Sequence, residues 1–234
     1  MRSRKNDSKT YYYSWKKSNR STDREKLIFQ EIYSVLEILS KFPQELRANY
    51  IATGKRSDVR LFHLDQNNLL DLLQIGDDES CRLEFYSSLI EENSASISID
   101  VGNNDDFFDT VVIGLPLSLN AFDPEGSELI KRLFSGLVTE LDPFWGCVSN
   151  RMIARNLDSY LDGNLPNAVF WLNYWCKTMQ NAIGMLRIKK ATRKFAETYF
   201  DNGLFCMKDT ALDAESISDM KYLRQVERCL RIGV

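Results

Sequence analysis

Histidine is nearly absent from this chain: His63 is the single one in 234 residues. A hydrolase that works through a serine or cysteine needs a base beside its nucleophile. His63 lies in Arg60–Leu64 with no nucleophile motif nearby, so it is read as a strand-edge or core residue. The five cysteines, Cys81, Cys147, Cys176, Cys206 and Cys229, are far apart and odd in number. That spacing excludes a zinc or thioredoxin motif and fits reduced, mostly buried thiols. Neither standard Gly-rich phosphate loop is present. No stretch approaches the roughly 20 apolar residues of a membrane span, and no apolar run follows the N-terminal basic residues as in a secretory signal. The expectation is a soluble cytoplasmic protein with no metal, no cofactor and no membrane partner.

Positive charge is scarce in one region. Leu61–Trp145 holds three basic residues, Arg82, Lys131 and Arg132, against seventeen acids. Met1–Arg60 holds fourteen Lys and Arg against seven acids, and Gly146–Val234 thirteen against nine. The overall net charge of −3 hides this division. Crowded like charges repel one another in the compact state, yet they attract and steer a basic partner from a distance. Asp105, Asp106 and Asp109 are close enough in sequence to suit a hard cation, but the calcium-loop order around a central glycine is missing. They read as solvated loop acids, as do Asp77, Asp78 and Glu79, while Glu91 and Glu92 sit at a hairpin end. Together, without compensating Lys or Arg, these eight acids are the expected contact residues for a partner protein with a basic surface. Arg187, Lys189, Lys190, Arg193 and Lys194 read as a solvated helix face. In an acidic chain with no reader motif they do not argue for nucleic acid.

Residues 1–9 are polar and read as a loose leader before a strand at Thr10–Trp15. A capping box, Thr22 with Glu25, opens a helix whose stripe is Ile28, Ile32, Val35, Leu36 and Leu39, ending by Pro43. Asn49–Asp65 is weakly patterned. Asn68–Ile75 is a short helix with Gly76 as its C-cap. Arg82–Ile90 and Ala95–Val101 alternate as half-buried strands around a turn at Glu92–Ser94, and Thr110–Leu115 is a more buried strand ended by Pro116. Asp123, Pro124 and Glu125 start a helix with the stripe Ile130, Leu133, Phe134, Leu137, Val138 and Leu141, about 27 Å long. Phe144–Ser149 and Ala168–Trp175 are strands, Lys189–Tyr199 a helix, Gly203–Met207 a strand and Asp213–Leu230 a terminal helix. No repeat or linker interrupts the pattern. The fold class is α+β: an antiparallel or mixed β-sheet covered by helices, in a single domain over residues 10–234.

Aromatic residues cluster in Tyr11-Tyr12-Tyr13-Ser14-Trp15, Asp142-Pro143-Phe144-Trp145-Gly146 and Phe170-Trp171-Leu172-Asn173-Tyr174-Trp175. Trp15, Trp145, Trp171 and Tyr174 are expected to form an aromatic core, since large rings bury the most area. The order of these pieces resembles the immunity protein 52 family of bacterial polymorphic-toxin and type VI secretion systems. The likeness rests on the aromatic strand at Tyr12–Ser18, a buried strand ending Leu115-Pro116, and a Pro-x-Trp-Gly strand at Pro143–Gly146. Pro166–Tyr174, with its Trp-Leu-x-Tyr ending, and Gly203–Leu230 complete it. Where that family's first motif reads Trp-Gly followed by Arg, this chain has Ser14-Trp15-Lys16-Lys17. The resemblance implies a non-enzymatic protein that binds and neutralises a cognate toxin, nucleases among the candidates. A nuclease carries a basic cleft for phosphates, which acidic side chains would occupy.

Two other classes compete. A hydrolase working through paired carboxylates, with or without a divalent ion, needs no histidine and predicts convergent acids in a deep pocket. A scaffold subunit predicts a large apolar interface.

Overall fold

The computed structural model describes residues 10–17, 24–52, 58–73, 81–90, 93–102, 108–154, 161–162 and 165–233. In chain order its elements are β1 (Thr10–Lys17), α1 (Arg24–Ser40), β2 (Tyr50–Ala52), β3 (Val59–Leu61), α2 (Gln66–Leu72), β4 (Cys81–Tyr86), β5 (Ser96–Val101), β6 (Phe108–Gly114) and α3 (Pro124–Leu141). There follow β7 (Trp145–Asn150), α4 (Arg151–Ala154), β8 (Leu161–Asp162), β9 (Leu165–Pro166), β10 (Leu172–Trp175), α5 (Lys177–Ile183), α6 (Met185–Lys194), β11 (Tyr199–Asp201), β12 (Leu204–Cys206) and α7 (Ile217–Leu230). The class is α+β with antiparallel sheet covered by helices. The chain gathers into two compact units, one of Tyr12–Leu119 with Leu133–Pro143, the other of Met1–Tyr11, Asn120–Arg132 and Phe144–Val234. We call the first the acidic unit and the second the aromatic unit. The expected leader at residues 1–9 and Thr22 of the capping box lie outside the described residues.

In the acidic unit the strands run β6-β5-β4-β2-β3, every pair antiparallel. The two-residue period sorts the faces. Ile97, Ile99 and Val101 of β5, Phe85 of β4, Val111 and Ile113 of β6 and Ile51 of β2 are buried, while Ser96, Ser98 and Asp100 are half-exposed. The α1 stripe expected from the sequence is buried in full, and Ser34 of α1 donates to Glu140 of α3 at 3.3 Å. The weakly patterned Asn49–Asp65 stretch contains β2 and β3. Asn49 ties β2 to β4, its N–H donating to the Tyr86 carbonyl (3.0 Å) and its side chain to that of Ser87 (2.8 Å). β4 stops at Tyr86, not at Ile90. There Ser87 and Ser94 take over backbone groups, Ala95 N–H donating to Ser87 Oγ at 2.8 Å and Ser88 N–H to Ser94 Oγ at 3.2 Å, the local competition with a strand ladder that serine hydroxyls offer. α2 begins two residues earlier than expected because Asp65 caps it, Oδ1 accepting from Asn68 N–H at 2.9 Å. Gly76 lies outside the described residues.

In the aromatic unit the order is β11-β12-β10-β7, again antiparallel. Its core is built of rings: Trp175 stacks on Phe205 (4.8 Å between centroids), and Trp145 lies tilted 6.1 Å from Phe170. Trp171 is buried and donates from Nε1 to the Lys208 carbonyl at 2.9 Å, and Tyr174 is buried on β10. The Trp15 side chain on β1 lies outside the described residues. The expected strand at Ala168–Trp175 is a strand only from Leu172. Asn173 holds the preceding bend, its Oδ1 accepting from Phe170 N–H (3.0 Å) and its Nδ2 donating to the Phe170 carbonyl (2.8 Å). The expected helix at Lys189–Tyr199 runs instead over Met185–Lys194, and β11 begins at Tyr199. Helix α5 has no counterpart among the elements expected from the sequence.

Candidate functional site

β4 and β5 pair along their whole length, from Cys81 opposite Val101 at one end to Tyr86 opposite Ser96 at the other. At the first end Arg82 stands opposite Asp100, and Asp100 opposite Thr110 of β6, with Asp109 adjacent on that strand. Asp77, Asp78, Glu79, Asp105 and Asp106 lie outside the described residues. Glu91 and Glu92 lie outside them too. Of the eight acids expected to make contact, Asp109 alone is among the described residues.

The described side chains at the first end carry a negative bias. Arg82 pairs with Glu84 on the half-exposed face at 3.4 Å, and Glu84 also accepts from the Tyr86 hydroxyl at 3.4 Å. Burial, reinforced by the charge of Asp100, pushes the Cys81 thiol up to about 11. Asp109 is buried, at 7 % exposure, so it does not stand on the open surface as a loop acid would. The signal for this was its place beside Thr110 in an apolar strand. Beyond this end, described acids are spread over several elements: Glu37 on α1, Asp65 and Asp71 at α2, and Glu140 and Asp142 at the end of α3 are all exposed.

Asp109 and Glu31 line a small cavity with Val35, Ile99, Val101, Thr110, Val111 and Leu141, of about 20 Å³. That holds one water, whereas substrate sites run from about 300 Å³ upward. A groove of about 390 Å³ beside α7, lined by Ala214, Glu215, Ser216, Ile217, Met220, Lys221 and Arg224, is open to solvent and contains a single carboxylate. Among the described residues no three His, Cys, Asp or Glu converge as metal ligands. Burial raises the thiols of Cys147 and Cys206 as well as Cys81, which keeps all three protonated and poorly nucleophilic near neutral pH. Among the described helices none is long and apolar enough to cross a membrane.

No protein-family model matches the chain, and no curated protein matches it. Among solved structures it is similar to the Pseudomonas aeruginosa T6SS protein PA0821, with a TM-score of 0.63 and 8 % identity over 95 % of this chain and 72 % of that one. At this identity the likeness is one of fold, and function has to be argued from sites. The immunity protein 52 resemblance drawn from short motifs therefore reduces to a coarser statement: the chain shares its fold with a T6SS protein.

Proposed function

We propose that this is an immunity protein, which binds a cognate secreted antibacterial toxin in the cytoplasm and neutralises it by occluding its active site. The observation that carries the reading is the acid-rich segment Leu61–Trp145 with its three cations, within which Asp100 of β5 is half-exposed at one end of the β4–β5 pair. Such a field raises the rate of capture of a basic protein, a nuclease cleft included, by roughly 10-fold or more at low salt. Support comes also from the T6SS protein that shares the fold.

Two measurements test it. Expression of the neighbouring reading frame should be toxic, and co-expression of this protein should restore growth. Replacing Asp77, Asp78, Glu91, Glu92, Asp105 and Asp106 by Asn or Gln should slow association with that toxin by about tenfold at low salt, with the difference shrinking as salt screens the field. Unchanged association kinetics at low salt would remove the acids from the interface; absence of rescue would remove the immunity role.

A further inference from the structure

Helix α6 contains Arg187, Lys189, Lys190, Arg193 and Lys194 and no Asp or Glu. Its buried side is Ile188 and Ala191, which turns Leu186, Lys189, Lys190, Arg193 and Lys194 outward on one stripe. A run of lysines on a helix is ordinarily a solvated face with acids a turn away. Among the described residues, however, none of Lys189, Lys190, Arg193 and Lys194 has an acidic partner. The adjoining helix α7 also exposes cations. It meets α6 through Tyr222, whose ring lies edge-on to Phe195 at 5.4 Å, and it exposes Lys221, Arg224 and Arg228. Both of its acids are directed elsewhere: Asp219 binds Lys208 at 3.0 Å and the Asp213 N–H at 2.9 Å, and Glu227 is buried against Arg224. On α7 Lys221 and Arg228 have no acidic partner among the described residues, Arg224 being held by Glu227; the exposed Glu197 follows three residues after Lys194, so the outer faces of both helices are cationic in balance and not free of acids.

A second observation narrows the partner. Leu186 and Ile217 are 84 % and 86 % exposed, the two most exposed large hydrophobic residues among those described. Each sits in the first turn of one of the two cationic helices. A phosphodiester backbone matches the cations but gives an aliphatic side chain nothing to enter. Neither helix has an exposed ring on which a base would stack. A bilayer interface with anionic headgroups takes both the cations and an inserted aliphatic side chain. We infer that the outward face of α6, with α7 beside it, docks on an anionic phospholipid surface. This surface belongs to the aromatic unit and does not depend on the toxin reading.

Full-length protein is sedimented with vesicles of phosphatidylcholine alone, or of phosphatidylcholine with one third phosphatidylglycerol. Binding is expected to the anionic vesicles only and to weaken as salt is added. Lys189→Gln with Lys190→Gln should lower the apparent affinity about thirtyfold, given the attraction per cation at such a surface. Leu186→Ser, which leaves the charge unchanged, should lower it several-fold. All three positions are exposed, so the variants should melt with the parent protein, and a change in binding then reports the surface itself. Equal binding to neutral and anionic vesicles overturns the proposal. So does binding to anionic vesicles that is indifferent to Leu186→Ser, or a tighter association with a duplex DNA fragment than with the vesicles at matched salt.

Discussion

The two units are made of the same antiparallel material and differ in charge and in core. The acidic unit holds eleven Lys and Arg against twenty Asp and Glu, the aromatic unit nineteen against thirteen, so their net charges are −9 and +6. The acidic unit is filled mainly by aliphatic side chains from α1, α3 and β5, with Phe62 and Phe85 in contact at 5.0 Å. The aromatic unit buries Trp145, Trp171, Trp175, Phe170 and Phe205. Charge of either sign is compatible with the same layers because it sits on the faces the period-2 and period-3.6 patterns leave outside. On the two proposals above, the difference decides which partner each unit attracts: a basic protein for the acidic unit, an anionic surface for the aromatic one.

The sharpest way to compare the cores is to empty them. Phe85→Ala and Trp171→Ala should each cost about 3–5 kcal/mol by urea unfolding. Trp171→Ala should be the worse, since it also removes the Nε1 hydrogen bond to the Lys208 carbonyl and leaves that oxygen only the weak Cys206 thiol donor at 3.1 Å. Equal losses would mean that neither the larger ring of Trp171 nor its hydrogen bond adds to the stability that Phe85 contributes in its own unit.

Glycine gives a comparison of opposite sign. Gly203 lies in the β11–β12 turn with φ +89, beside Asn202 at φ 45. A Cβ there would stand 2.7 Å from Tyr174 Cε2 and 2.8 Å from the Trp175 carbonyl oxygen. Gly203→Ala should therefore destabilise by about 2–3 kcal/mol, strain and overpacking together. Gly136 is helical, in the part of α3 that belongs to the acidic unit, and a Cβ there meets only Ile38 Cγ2 at an ordinary 3.8 Å. Gly136→Ala should stabilise by about 0.5–1 kcal/mol. Thermal melts of the two variants should move in opposite directions.

Long periodic elements are legible in the amino-acid sequence alone. The α1 and α3 stripes and the alternation of β5 each repeat often enough for burial to follow the spacing. β2 and β3, three residues each, are too short for a period of two to show. The apolar run Ala168–Trp171 reads as strand because buried irregular chain and buried strand have the same composition; Asn173, which closes the bend, gives no sign of it in sequence. Asn202-Gly203 does carry a usable signal, the dipeptide favoured in two-residue hairpins, and with it β11 becomes readable. The candidate sites divide in the same way. The acid-rich segment is a fact of composition, but the burial of Asp109 and the inward turn of Asp219 and Glu227 depend on tertiary contacts.

Glu227 offers the smallest and most specific test, because it places a buried acid, 4 % exposed, in the unit with the positive charge. Burial raises its pKa above the usual 4.5, opposed by the Arg224 guanidinium at 2.8 Å and by a backbone hydrogen bond from Val169. A raised folded-state pKa means that the native protein binds this proton more tightly than the unfolded chain. The associated stability is complete below the unfolded pKa and is lost as pH rises through the folded value. Glu227→Gln removes the titration and keeps the shape. Relative to this variant the parent protein should be most stable near pH 4 and should lose that advantage toward neutral pH, as read by urea midpoints across the range. A parent advantage that instead grows with pH would show that the Arg224 attraction outweighs desolvation. The aromatic unit would then hold its one buried glutamate as a charged partner, on the same terms as Asp219 with Lys208.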